Sequence, residues 1–576
     1  MDRYVDVVVD VVGRPGPFTY RLPDGLEAGL GDEVVVPLGP RRVAGWVVAT
    51  DVAAHAERSI RPVGRRRRPG PPPEVTATAL AAAAWAVASP VPLLRRARRP
   101  TVRGAPELPP RPGRAVGELV DASAVAFELF VAPFDVDAAS EAARLAAAGT
   151  FGRRFLVVAP TRQLAASFAE RAVAAGLEPP ALVPDGWDEL ATDRATVGVG
   201  GRYAALAPLA GPEAVVVLDP VHPSAREEAS PYLEAFDVAA LRSRCSGARL
   251  VVVSAVPSVA LAARAARVRT SRPPASRRVR ARLVRVGELD PQRGLEGLVA
   301  DVLQQRRRQQ PTASVLVVVP NAGLGHAPWC RSCGAQLTCA VCDAPLVVQP
   351  ATRGRPATGW CARCGAVRPL RCSACGGVAL RTTRWSVERL ARSLAEVLRE
   401  PVAPLEANAR VVVGTIEALE RAHANNVVVL VEPERFFGSQ TLLAGELLAY
   451  WVHRALVVAR RAGGSVEVVA RHAPPWLEPL LGSGQVLSVL RELRTERRAL
   501  GLEPLAPSAI VGGAAAAEFL HTLERLGYPN LERRELGGGR WLLEAPSALD
   551  LRRALGAVPR RWDARSLHLE LDPREL

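Results

Sequence analysis

The sequence predicts an α/β multidomain protein, and three observations carry that prediction. Two sets of short valine- and leucine-rich runs alternate with helix-patterned stretches, one within 116–285 and the other within 286–484. A β-patterned segment opens the chain. Eight of the nine cysteines fall between Cys330 and Cys375, inside the second α/β set. Strands that are apolar throughout, rather than alternating, imply parallel sheets covered on both faces.

At 576 residues the chain is long enough for several cores. The expected order is an N-terminal domain over 1–100, a linker over 101–115, a first lobe over 116–285, a second lobe over 286–484 with an insertion at 328–378, and a C-terminal domain over 485–576. Residues 3–50 alternate valines with Gly-, Pro- and Asp-rich turns, as in YVDVVVDVV and GDEVVVPLG, which predicts a small β-domain. A basic run, Arg65–Arg68, and a proline-rich stretch at 69–73 follow. Residues 75–94 are uncharged and long enough to span a bilayer, but they are mostly alanine with two prolines, so a buried or half-buried helix is expected instead. The Pro- and Arg-rich stretch 99–113 reads as a connector. The first lobe then offers RFLVVAP, AVVVLDP and ARLVVVSAVPS as strands, and the second offers SVLVVVP, ARVVVGT and NVVVLVEP. The cysteine block is inserted just after the first of these second-lobe strands. Arg-rich stretches at 264–285 and 304–310 are expected at the surface, where simple solvation is the alternative to a ligand role. A terminal strand, SLHLELDP, closes the chain.

The cysteines form four Cys-x2-Cys pairs: Cys330/Cys333, Cys339/Cys342, Cys361/Cys364 and Cys372/Cys375. Each pair sits beside small or turn-forming residues, and two such knuckles close one tetrahedral four-thiolate zinc site. Four knuckles imply two zinc ions. A disulfide framework is the alternative, and nothing in the sequence suggests an oxidising compartment. Eighteen residues separate Cys342 from Cys361, a usual span for one ribbon, whereas five separate Cys333 from Cys339. The predicted pairing is therefore nested, with Cys339, Cys342, Cys361 and Cys364 inside and Cys330, Cys333, Cys372 and Cys375 outside. Both sites have a full set of protein ligands, which fits a structural role.

Net charge is +16 and the isoelectric point about 10.4, which points to a polyanionic partner, nucleic acid first and an acidic membrane second. All 74 basic residues are arginine; the chain has no lysine. The N-terminus, MDRYVDVVVD, has charges and no signal-peptide core, so a reduced cytoplasm is expected.

Two parallel-sheet lobes, a four-knuckle insertion in the second and a β-rich opening together resemble the primosomal protein N′ (PriA) family of bacterial replication restart. The stretches VDVVVDVVGRPGPFTYRLPDGL and GDEVVVPLGPRRVAGWVV resemble that family's N-terminal domain, which binds the 3′ end of a nascent strand, and SLHLELDPREL resembles its ending. The resemblance implies two RecA-like helicase lobes, a double zinc-ribbon module and an α+β C-terminal domain. It also implies branched or forked DNA as ligand, with other primosome proteins, the replicative helicase and single-stranded DNA-binding protein as partners. No membrane is expected as a partner.

The lobes depart from the family where its chemistry would occur. Members with helicase activity cradle ATP phosphates in a Gly-rich loop carrying Gly-Lys-Thr. Here the corresponding stretch is FELFVAPFDVDAASEAARLAAAG (127–149), with no such loop and no lysine. Where Asp-Glu-Glu-His is expected the chain reads LDPVH, keeping Asp219 and His222 but placing Pro220 and Val221 between them. SAVPS (254–258) and GTIEALE (414–420) resemble later motifs. ARRAGG (459–464) resembles the arginine-finger motif, with Gly464 where an arginine is expected. These departures predict a scaffold without ATPase or helicase activity, having neither catalytic nor nucleotide-binding residues. Arginine could replace the lysine only poorly, because its planar fork does not reproduce a point ammonium.

By the same resemblance Phe18, Thr19, Tyr20 and Gly39 form the DNA-binding pocket. An aromatic pair can stack a terminal base, and Thr19 stands where a carboxylate would bind the 3′-hydroxyl. On that reasoning Thr19→Asp is expected to strengthen 3′-end preference. The alternative is that Phe18 and Tyr20 are simply core aromatics of the β-domain. The expected function is recognition of branched DNA at stalled forks and promotion of primosome assembly. An ATP-dependent 3′→5′ DNA helicase and a zinc-ribbon nucleic-acid-binding regulator are the alternatives.

Overall fold

The computed structural model describes residues 3–11, 16–53, 60–100, 108–111, 113, 119–227, 232–271, 279–285, 294–319, parts of 328–382, 387–404, 409–422, 424–435, 443–470, 472–499, 507–528, 530–537, 539–559 and 567–572. Two compact units divide the chain: residues 1–272 with 496–533 and 542–573, and residues 273–495 with 534–541 and 574–576.

In the first unit, the valine-rich opening folds into a five-stranded antiparallel sheet. Its order is Phe18–Leu22, Arg3–Val9, Arg41–Thr50, Glu33–Leu38 and Arg65–Arg68. Alternation places Val5, Val7, Tyr20, Leu22, Val34, Val36 and Val47 on one buried side. The basic run is the edge strand, and its charge is largely spent within the domain. Arg66 reaches Asp32 at 2.8 Å, and Arg67 and Arg68 each reach Glu33 at 2.7 Å, both acids being 2% exposed. A row of arginines also blocks further strand addition at that edge.

The uncharged stretch after it folds as two short buried helices, Pro73–Trp85 and Val91–Ala97. Among the described residues, no helix is long and apolar enough to cross a membrane.

The first lobe is a seven-stranded sheet in the order Arg267–Thr270, Phe127–Val131, Arg249–Ser254, Ala214–Leu218, Phe155–Val158, Val197–Gly200 and Ala181–Val183, with every pairing parallel. The strands at 155–158 and 214–218 are buried along their whole length, as their unbroken apolar sequences demand. Thr161 and Ser258 cap helices Arg162–Ala174 and Val259–Arg264 through their side-chain oxygens. The terminal strand His568–Leu571 pairs antiparallel with Ser508–Gly512. Arg226 fixes it to the first lobe, donating to the carbonyls of Asp572 at 2.6 Å and Leu571 at 2.8 Å.

The second unit holds a six-stranded parallel sheet in the order Arg280–Arg285, Ser465–Ala470, Val427–Val431, Val315–Val318, Val411–Gly414 and Val402–Pro404. Arg280–Arg285 therefore joins the second sheet, whereas its sequence position had assigned it to the first lobe. It lies along Ser465–Ala470, where Arg282 pairs at 2.9 Å with the fully buried Glu467. The cysteine region follows Val315–Val318 and contributes a two-stranded and a three-stranded antiparallel sheet.

Candidate nucleic-acid interface and metal centre

Phe18, Thr19 and Tyr20 lie in a strand, paired with Val7, Asp6 and Val5 respectively. A strand sends successive side chains to opposite faces, so Thr19 cannot sit between the two aromatics. Tyr20 is 5% exposed, packs in the core and donates its hydroxyl to the Pro37 carbonyl at 3.0 Å. Burial pushes its pKa up. Its ring is thus a core aromatic and is not presented for stacking, which corrects that part of the expected pocket. Phe18, half-buried at the rim of the same core, keeps part of its ring accessible.

On the other face, Thr19 Oγ1 donates to Asp6 Oδ1 at 2.7 Å. A carboxylate is therefore present beside Thr19, supplied by the neighbouring strand. A register shift between Asp6 and Val7 marks a β-bulge at this point, a device that re-aims side chains. Gly39 has φ +58° in the turn after Glu33–Leu38, and no atom lies within 4 Å of where a Cβ would project, so the surface above it is open. Arg61 Nη1 donates to the Gly39 carbonyl at 2.6 Å, and the Arg61 carbonyl accepts from the Arg21 amide at 3.0 Å. Arg61 thus ties the Gly39 turn to the strand bearing Phe18 and places an exposed guanidinium beside both. Sequence reasoning missed Arg61 and Asp6, because both arrive through strand pairing rather than local motif.

At the carboxyl edge of the first sheet, where open α/β sheets bind ligands, the three sequence motifs lie on adjacent strands. The loop after Phe127–Val131 leads into helix Ala138–Ala147. Its carboxylates Asp135, Asp137 and Glu141 are 8%, 4% and 3% exposed. Asp137 accepts from the Ser140 amide at 2.8 Å and pairs with Arg171 at 3.2 Å. Glu141 pairs with Arg144 at 2.6 Å and accepts from Ser271 Oγ at 2.5 Å. A phosphate cradle presents free amides and positive charge; here a carboxylate has taken a first-turn amide.

Asp219 is fully buried and accepts from Ser254 Oγ at 2.8 Å. His222 Nδ1 accepts the Ser224 amide at 2.9 Å. Val221, in place of an acid, is packed at 2% exposure.

In the second lobe, Gly414 ends its strand at the carboxyl edge. ARRAGG does not. It spans the C-terminus of helix Ala444–Arg461 and the turn into Ser465–Ala470, whose Ser465 pairs with the first residues of neighbouring strands, Val427 and Arg280. That is the amino edge, so the resemblance to an arginine-finger motif is corrected. A Cβ on Gly464 would lie 2.0 Å from the Asn426 carbonyl oxygen, so close backbone packing dictates glycine there.

Of the cysteines, Cys330, Cys333, Cys372 and Cys375 converge, with all four sulfurs within 4.8 Å of one another. Cys330 and Cys375 sulfurs are 3.5 Å apart, and Cys333 and Cys372 sulfurs 3.6 Å. Four sulfurs at about 2.3 Å from one tetrahedral ion would be separated by about 3.8 Å, so the cluster fits a four-thiolate metal site. The Cys333 and Ser332 amides pull the Cys330 thiol down to about 6, and those of Cys375 and Ala374 lower Cys372. For Cys375 the Gly377 amide favours thiolate, but the sulfurs of Cys330 and Cys333 outweigh it and push the thiol to about 12. In each of these two outer knuckles, backbone amides thus favour the charged form of one thiol, the form that binds a cation. Of the inner set, Cys339 is buried and Cys361 ends strand Thr358–Cys361. Cys342 and Cys364, and the side chain of Cys361, lie outside the described residues.

The described residues thus bring together an antiparallel sheet with an open, arginine-flanked turn, parallel-sheet α/β lobes and a cysteine cluster that could hold a metal ion. Residues 6–97 match the family model of the PriA 3′ DNA-binding domain. No curated protein matches the chain. Among solved structures, RecG bound to a three-way DNA junction is similar at TM-score 0.33 and 12% identity, over 64% of this chain and 42% of that one. Escherichia coli DEAH/RHA helicase HrpB follows at TM-score 0.31 and 13% identity, over 65% and 48%. The Pyrococcus furiosus Hef helicase domain gives TM-score 0.31 and 11% identity, over 63% and 96%. The similarity thus covers less than half of the RecG and HrpB chains.

Proposed function

We propose that the protein is a replication-restart factor that binds branched DNA at stalled forks and promotes primosome assembly without unwinding DNA itself. The match of residues 6–97 to the PriA 3′ DNA-binding domain carries this reading. In it, Phe18 and the open surface over Gly39 receive the terminal nucleotide, Arg61 meets its phosphate, and Asp6, held by Thr19, is the carboxylate nearest the 3′-hydroxyl. The cysteine region holds two zinc ions, one on Cys330, Cys333, Cys372 and Cys375 and one on the inner four. The module gives a rigid surface for the displaced strand, for single-stranded DNA-binding protein or for the replicative helicase, in the cytoplasm.

The absence of turnover rests on the buried carboxylates Asp135, Asp137 and Glu141 in the loop and first turn where a phosphate cradle belongs. A triphosphate there would meet like charge in a poorly solvated place. The test is ATP hydrolysis and strand separation by purified protein with and without forked DNA. Background rates are expected in both assays. Robust turnover that disappears in Asp219→Ala would overturn the scaffold reading.

A further inference from the structure

At the amino edge of the second sheet, opposite the helicase motifs, lies a cleft of about 610 Å³. Arg280, Arg306, Arg460, Gln309 and Gln310 line it, with the Gly463–Ser465 turn. We propose that this cleft binds nucleic-acid backbone phosphates and forms a second DNA contact, separate from the N-terminal 3′-end site. The proposal rests on the DNA-binding reading above and adds a location to it.

Charge supplies the first argument. Glu467, fully buried, takes both Arg282 at 2.9 Å and Arg306. Glu400 likewise takes both Arg307 at 2.7 Å and Arg410. Four guanidinium groups therefore share two carboxylates, leaving this edge positive. Arg280 is exposed, and its side chain has neither a hydrogen bond nor an ion pair among the described residues.

The bland account is that arginines in the last turns of helices Gly294–Gln309 and Ala444–Arg461 only offset the helix dipoles. It explains Arg306 and Arg460. It does not explain Arg280, which begins a strand.

The lining also defines the ligand. Guanidinium forks and glutamine amides suit phosphate oxygens. Among the described residues, Val279 is the only apolar side chain in the lining, and no aromatic face is present to stack a base. Such a cleft reads backbone and not sequence.

The test uses full-length protein carrying Arg280→Ser, and separately Arg280→Ser with Arg460→Ser. Fork binding is titrated from about 50 to about 200 mM salt. Each lost phosphate contact lowers the slope of log affinity against log salt by about 0.9, a change of about threefold across that range. The single variant should lose about one unit of slope and the double variant about two, with 3′-end preference unchanged. Arg280→Ser removes an exposed, unpaired side chain, so its unfolding temperature should match wild type, which separates lost contact from lost fold. Inorganic tripolyphosphate at equal phosphate should displace DNA no better from wild type than from Arg280→Ser. Unaltered slope and affinity in Arg280→Ser would overturn the assignment. So would preferential displacement from wild type by tripolyphosphate, which would make the cleft a small-polyphosphate site. Failure of wild type to bind forks at all would instead bring down the functional reading.

Discussion

At Thr19 the structure reverses an expectation. Its hydroxyl already donates to Asp6 at 2.7 Å, so Thr19→Asp would set two carboxylates directly opposite across a strand pair. Like charges so placed destabilise by about 0.2–1 kcal/mol. Thr19→Asp should therefore lower the unfolding temperature slightly and leave 3′-end preference no stronger, as judged by thermal unfolding and titration of matched forks. The two aromatics should also separate. Phe18→Ala removes a stacking surface worth about 1–3 kcal/mol and should reduce 3′-end preference about five- to a hundredfold. Tyr20→Phe loses only the hydrogen bond to Pro37 and should cost about 0.5–1.5 kcal/mol of stability with preference intact. The residue types at 18–20 were legible in the sequence; their facing was not. Facing depends on whether the segment is a turn or a strand, and only the pairing with Val5, Asp6 and Val7 decides that.

At the scale of elements, the knuckles and the lobes were read from sequence with unequal success. Cys-x2-Cys spacing reports a local turn chemistry that survives any context, and the outer set converges as the nested pairing requires. Purified protein should carry two zinc ions, measured as metal content. Cys372→Ser should leave one and loosen the module, and acid should release the metal as thiolates protonate. ARRAGG misled because helix Ala444–Arg461 runs from one edge of the sheet to the other, and a short motif does not say which end it occupies. A different element-level signal lies where helix Pro73–Trp85 meets Ala235–Ser246. Trp85 Nε1 donates to Asp237 at 3.0 Å, and burial pushes the Asp237 carboxyl up to about 6 from an ordinary 3.8. The folded state therefore holds this proton more tightly than the unfolded chain, and its contribution to stability declines as pH rises from about 4 to about 6. Asp237→Asn keeps an acceptor for Trp85 and should flatten that decline in urea unfolding followed across this range.

For the whole molecule, the net charge of +16 overstates what faces DNA. The run Arg65–Arg68 is largely committed to Asp32 and Glu33, and the buried Arg226 is committed to the terminal strand. Composition could not reveal which arginines are committed, since pairing is a property of the fold. The α/β class and the parallel sheets were legible because fully buried strands must be apolar along their whole length. On the proposed reading, Arg61 and the arginines around Arg280 give general affinity that salt weakens, and selectivity must come from a terminus. The most direct measurement is therefore a nucleotide-free titration of wild-type protein against two forks that differ only in a 3′ end at the junction. Tighter binding to the fork bearing that end, by about five- to a hundredfold and without ATP, is the predicted result. Equal binding to both forks would contradict the account.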